Sequence, residues 1–173
     1  IEMDKVDLIV PPYILGALLG DGSLTGGNAC ITVTDPDLAD EFAAVATKFW
    51  PRQFVPKLIG HRFGKAVYQV RLAWQKSGSA PNPITAALNE IGVWGQVARN
   101  KSIPDQYLIG SADNRLALLQ GLMDTDGSID RLGKISFSST SERLARGIVD
   151  LVNSLGGRAT VSRYPRQYQV RIV

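Results

Sequence analysis

Two stretches, Ile14–Gly22 (ILGALLGDG) and Leu119–Gly127 (LQGLMDTDG), decide how this chain of 173 residues is read. Gly16, Asp21 and Gly22 of the first return as Gly121, Asp126 and Gly127 of the second, each 105 positions later. Further out, Tyr68-Gln69-Val70-Arg71-Leu72 returns as Tyr168-Gln169-Val170-Arg171-Ile172, at an offset of 100. Between these anchors, 31–49 and 135–155 share one plan of a short alternating strand, a cap and an amphipathic helix. A period near 100 is too long for a solenoid repeat. Two matches in the same order indicate a duplicated half-domain about a pseudo-twofold axis. We place the first half with its connecting segment at 1–110 and the second at 111–173. The second half is truncated, because nothing in it matches the segment 83–94.

The elements follow from local chemistry. Pro11-Pro12 opens a helix that Gly22 ends. Ile31 and Val33 alternate with Thr32 and Thr34 as a half-buried strand, and Asp35-Pro36 starts a helix running to about Phe49. Residues 63–72 read as a strand and 83–94 as a short helix opened by Pro83. In the second copy Ser111 caps a helix reaching Asp126, and 135–138 form a strand. Thr140 or Ser141 caps a helix ending near Leu155, and 164–173 form the last strand.

Composition narrows the class. Hydrophobic residues make up 45% and charged residues 20%, as in a globular protein. A lone Cys30 excludes an internal disulfide and a multi-cysteine zinc site, and a lone His61 argues against a zinc enzyme or a histidine-based triad. No apolar run approaches the ~20 residues of a membrane span, and no signal peptide is present, so an intracellular, cytoplasmic protein is expected. Ile1 in place of Met fits a piece of a longer chain. The net charge of +3 is uneven: residues 1–60 carry −4, 61–130 carry +1 and 131–173 carry +6. A basic C-terminal third suits a polyanion, although an arginine-biased solvated surface would look the same.

The paired aspartates carry the chemistry. Gly16 and Gly20, and Gly121 and Thr125, put small residues one turn apart, which lets two helix backbones approach closely. Asp21 and Asp126 then sit at helix C-termini, where the dipole disfavours an anion, and symmetry brings them towards each other. A single Asp-Gly at a helix end is an ordinary turn. Two at equivalent positions point to a divalent cation, Mg²⁺ or Mn²⁺, held by both carboxylates with the carbonyls of Gly20 and Thr125 as further hard oxygen donors.

These two segments resemble the paired motifs of LAGLIDADG homing endonucleases, and the resemblance runs from about Tyr13 to the C-terminus. The first copy has Leu19 where the pattern has its earlier Asp. Lys101-Ser102-Ile103-Pro104 is similar to the K-x-I-P segment of intein-encoded members. The resemblance implies an α+β fold of two αββαββα halves with saddle-shaped antiparallel sheets over DNA. It implies metal binding by Asp21 and Asp126, a catalytic role for Lys101, and cleavage of both strands with short 3′ overhangs. The splicing residues of an intein are missing, so splicing by this chain alone is not expected.

A two-stranded ribbon fits the DNA major groove. Lys65, Gln69 and Arg71 share one strand face, as do Gln167, Gln169 and Arg171, with Arg163 joining them. Thr32, Thr34, Ser136 and Ser138 alternate likewise and add weaker contacts. Gln suits adenine edges and Arg guanine edges. Because the copies differ at most of these positions, a monomer with a long asymmetric double-stranded target is expected. The rivals are a DNA-binding protein of this fold without nuclease activity, an RNA-binding maturase, and a purely structural duplication that leaves the aspartates unexplained.

Overall fold

A computed structural model describes residues 8–74 and 82–173. The expected first half, 1–110, therefore includes two segments that lie outside the described residues. The first half runs α1 (Pro12–Asp21), β1 (Gly22–Ser23), β2 (Cys30–Val33), α2 (Pro36–Phe49), β3 (Lys57–Arg62), β4 (Lys65–Arg71) and α3 (Pro83–Glu90). A 3₁₀ turn (Ala98–Asn100) and α4 (Asp105–Leu108) connect it to the second half. That half runs α5 (Ala112–Asp126), β5 (Gly127–Ile129), β6 (Ile135–Ser139), α6 (Glu142–Ser154), β7 (Ala159–Arg163) and β8 (Tyr168–Ile172).

Each half contributes one four-stranded antiparallel sheet, ordered β1-β2-β4-β3 and β5-β6-β8-β7. The registers correspond: Ile31 faces Val70 in the first sheet and Phe137 faces Val170 in the second, all four fully buried. Alternation gives each sheet an inner face against its helix and an outer, polar face. Behind the first sheet, α2 buries Ala39, Phe42, Ala43 and Ala46, and Asp35 caps it by accepting from the Asp37 N–H at 3.0 Å. Behind the second, α6 buries Leu144, Ala145, Ile148, Leu151 and Val152, and Ser141 is its N-cap.

Between the halves, α1 and α5 pack on each other. Seven consecutive residues of α1, Tyr13 to Leu19, are buried, so this helix is apolar all round, as a central element must be. A Cβ on Gly16 would clash with the Leu118 carbonyl and lie 2.9 Å from the Leu122 nitrogen. One on Gly121 would clash with the Tyr13 carbonyl and lie 2.8 Å from the Ala17 nitrogen. The two glycines thus set the helix separation by letting each backbone rest on the other.

Three expectations need correction. Residues 63–72 are not one strand: β4 begins at Lys65, and Phe63 (φ 51°) and Gly64 (φ 77°) turn the chain back from β3. β3 is exposed along its whole length, so its sequence has no alternation to detect. The strand expected over 164–173 likewise begins at Tyr168, with a turn closed by the Tyr164 N–H donating to the Gln167 carbonyl at 2.8 Å. The helix expected over 83–94 stops at Glu90, where the chain turns through Gly92 (φ 75°). No counterpart of α3 follows β8 among the described residues. No described helix is long and apolar enough to cross a membrane.

Candidate active site

The site is built where α1 and α5 end. Asp21 and Asp126 are the last residues of these helices, and each chain turns directly into a sheet strand. The glycine after each aspartate is required by space and not by a left-handed turn. Gly22 has φ −83° and Gly127 φ −74°, but a Cβ on Gly22 would sit 2.6 Å from the Leu18 carbonyl, and one on Gly127 would clash with that of Met123. Gly20 leaves room for Thr125 across the helix pair, and the Thr125 hydroxyl is turned back onto the Gly121 and Leu122 carbonyls, both at 3.1 Å.

Both carboxylates line one cleft with Lys101, Ser138, Ser139, Thr140 and Gln167. Burial raises the Asp21 pKa against the pull of Lys101 and Arg62. Burial also raises that of Asp126, and the Asp21 charge raises it further, against the pull of Lys101. The Asp21 charge thus reaches Asp126 across the helix pair. A second hollow is lined by Asp21, Thr32, Thr34, Arg62, Val67, Asp124 and Thr125.

Lys101 is 5% exposed. Its ammonium donates to the carbonyls of Leu18 at 2.9 Å, Gly20 at 3.0 Å and Gly22 at 2.8 Å. An ammonium has three hydrogens, so all are engaged. Burial pushes its pKa down to about 8, opposed by Asp126 and Asp21, and the three carbonyl acceptors further favour the charged form. Lys101 therefore places a cation at the negative end of α1, where the dipole most disfavours Asp21. Its own carbonyl accepts from the Ser141 hydroxyl at 2.6 Å, which ties the site to the start of α6.

Among the described residues, no cluster of three or more His, Cys, Asp or Glu side chains converges. The donor set is two carboxylates with backbone carbonyls nearby. That set suits Mg²⁺, which keeps several waters and takes only one or two carboxylates from the protein. The Gly20 carbonyl already accepts from Lys101 and has one lone pair left.

The outer sheet faces carry most of the expected recognition residues. Thr32 pairs with Gln69, and Ser136 and Ser138 pair with Arg171 and Gln169. The Gln69 side chain donates to the Thr32 hydroxyl at 3.3 Å and accepts from Arg71 Nε at 2.6 Å. Lys65 is exposed at the start of β4. Thr34 lies beyond the end of β2 and lines the second hollow, and Gln167 lies in the turn before β8 and lines the main cleft. Arg163 does not belong to the outer face. It pairs with Tyr168, whose hydroxyl donates to Glu142 of α6 at 2.9 Å, so Arg163 shares the helix-facing side. Two residues passed over in the sequence join the outer face: Arg62, paired with Lys65, and Lys57, paired with Gln69.

Comparison with known proteins agrees with this architecture. Residues 113–173 match the model of the LAGLIDADG-like domain. The chain superimposes on mesophilic variants of the homing endonuclease I-DmoI with a TM-score of 0.63, covering 95% of this chain and 88% of that one at 14% identity. The fold is the LAGLIDADG fold. I-DmoI is matched also in complex with DNA and Mn, at a TM-score of 0.60. The N-terminal LAGLIDADG domain of DUF199/WhiA matches with a TM-score of 0.58, at 11% identity over 96% of this chain and 78% of that one. In sequence, 94% of the chain is 34% identical to part of the replicative DNA helicase DnaB of Mycobacterium intracellulare. It spans 22% of that protein. A 70-residue stretch is 33% identical to 4% of a DNA polymerase from Thermococcus hydrothermalis.

Proposed function

We propose that this chain is a site-specific double-stranded DNA endonuclease that hydrolyses phosphodiester bonds with a divalent metal. The observation that carries the reading is the convergence of Asp21 and Asp126 at two helix ends held together by Gly16 and Gly121. Desolvated carboxylates in mutual repulsion form a site that a dication relieves. When bound, the metal supplies an activated water and charge neutralisation at the phosphate. Asp21 and Asp126 would hold it, with the Gly20 and Thr125 carbonyls as further donors.

The protein's own groups do the rest by position. The engaged hydrogens of Lys101 make it a positioning residue: it fixes the end of α1, and its charge opposes the rise that burial gives the Asp21 pKa. Ser138, Thr140 and Gln167 offer hydrogen bonds to a substrate in the cleft, and Arg62 brings a positive charge beside Asp21. A covalent route through Cys30 is disfavoured, because burial raises its thiol pKa and its side chain is not among those lining the cleft. The target is read by the outer sheet faces, and a single chain supplies both halves.

The match of nearly the whole chain to a minor part of a helicase, and of a 70-residue stretch to a small part of a polymerase, supports the endonuclease of an inserted element, of the intein type, in such a host. The deciding experiment incubates the protein with a duplex carrying the uninterrupted insertion site, with Mg²⁺ or with chelator. Cleavage only with Mg²⁺ is expected. Binding without cleavage would favour a second reading, a DNA-binding protein without nuclease activity, which the fully engaged ammonium of Lys101 supports. Preference for structured RNA over the duplex would favour a maturase.

A further inference from the structure

The strand registers bear on which DNA this chain reads, an inference that rests on the DNA-binding reading above. Arg71 pairs with Cys30 and Gln69 with Thr32 in the first sheet; Arg171 pairs with Ser136 and Gln169 with Ser138 in the second. The buried pairs beside them, Ile31–Val70 and Phe137–Val170, fix the equivalence, since Gly22 and Gly127 face Ile31 and Phe137 directly after the paired aspartates. Gln and Arg therefore occupy identical places on both outer faces, with the arginines exposed in both.

Nearer the aspartates this identity ends. β4 runs outward from Lys65 and Val67, and Val67 lines a hollow containing Asp21 together with Arg62. The counterparts of Lys65 and Val67, at the offset of 100, are Pro165 and Gln167, and Gln167 lines the cleft with Asp126. Along β4 and β8 the inner positions thus differ between the halves and the outer two carry the same Gln and Arg, while their cross-strand neighbours differ, Lys57 beside Gln69 and Ser162 beside Gln169.

A twofold-related pair of identical reading groups sees the same base on opposite strands at equal distances from the centre, as in dimeric repressors on palindromic operators. We propose that the target carries an inverted repeat at its outer positions, read by Gln69 and Arg71 on one side and Gln169 and Arg171 on the other. It is asymmetric at inner positions, next to the cleavage centre. Arg fits the guanine edge and Gln the adenine edge of the repeated pairs. The Arg71 Nε is held by Gln69, which leaves its terminal nitrogens for the base.

The test is selection of bound sequences from a randomised duplex library, using the full chain with Asp126→Asn so that bound DNA stays uncut. Mirrored, identical base preferences at outer positions are expected, with unrelated preferences inside them. Arg71→Ala should erase the preference at one mirrored position and Arg171→Ala at the other, each by roughly 5- to 150-fold. Sequence enrichment without mirrored outer positions would overturn the inference and leave DNA recognition standing. No enrichment over the input library would overturn DNA recognition itself.

Discussion

Asp126 feels both burial and the charge of Asp21, and its pKa is raised. A carboxylate with a raised folded-state pKa favours folding while protonated and loses that contribution as pH rises from the usual carboxylate value through the raised one. In metal-free protein at pH 7, Asp126→Asn should therefore raise Tm, and the gain should vanish below about pH 4, where both states are protonated. Adding Mg²⁺ should stabilise the native protein more than the variant, because the dication binds the folded state. Asp21→Asn and Asp126→Asn should each abolish cleavage and leave DNA affinity largely unchanged, as read by gel shift on the same duplex. Cutting at the native rate by either variant would sink the metal assignment. Lys101 behaves differently. Lys101→Met should cost about 2–4 kcal/mol in urea unfolding, since three carbonyls at the end of α1 lose a charged donor. It should also slow cutting far more than it weakens binding once the fold is shown intact by circular dichroism.

Among the elements, the α1–α5 pair gives the sharpest contrast. Gly121→Ala places a Cβ against the Tyr13 carbonyl and the Ala17 nitrogen, backbone atoms that cannot move aside, and should cost about 2–4 kcal/mol by denaturant unfolding. Gly20→Ala meets chiefly the Thr125 hydroxyl, which can rotate, and should cost less than Gly121→Ala by the same measurement. An equal cost at both positions would show that the helices readjust as a unit. These helices were legible in the sequence because glycine spacing and paired Asp-Gly ends repeat there. The hairpins were not. β3 has no buried face, so no periodicity marks it, and Arg62 and Lys57 went unread with it. Strand alternation carried straight on to Arg171 places Arg163 on the outer face. The turn at 164–167 reverses the strand, and pairing with Tyr168 puts Arg163 on the helix side. Lys101 was legible as a residue and illegible as a contact, because its partners lie about 80 positions away in sequence.

For the whole molecule, the proposed nuclease reading, with one aspartate from each half, predicts that one chain cuts both strands. The products should be double-strand breaks with short 3′ overhangs, mapped by primer extension from each side, with nicked circles only as a transient. A trapped covalent protein–DNA adduct, or cutting in full chelator, would rule out hydrolysis of this kind.

The long reach of the connector carries a consequence for timing. Lys101 closes onto residues 79 to 83 positions earlier, and Ser141 closes onto Lys101 from 40 positions later. Tyr107 closes onto Val10 across 97. Closures of this span come late in folding, because their chain entropy is recovered only when the surrounding structure is already in place. The cleft is therefore absent from every partly folded state in which only one half has formed. A nascent chain leaving the ribosome passes its first aspartate long before its second, and in that interval the cleft that joins the two carboxylates does not exist.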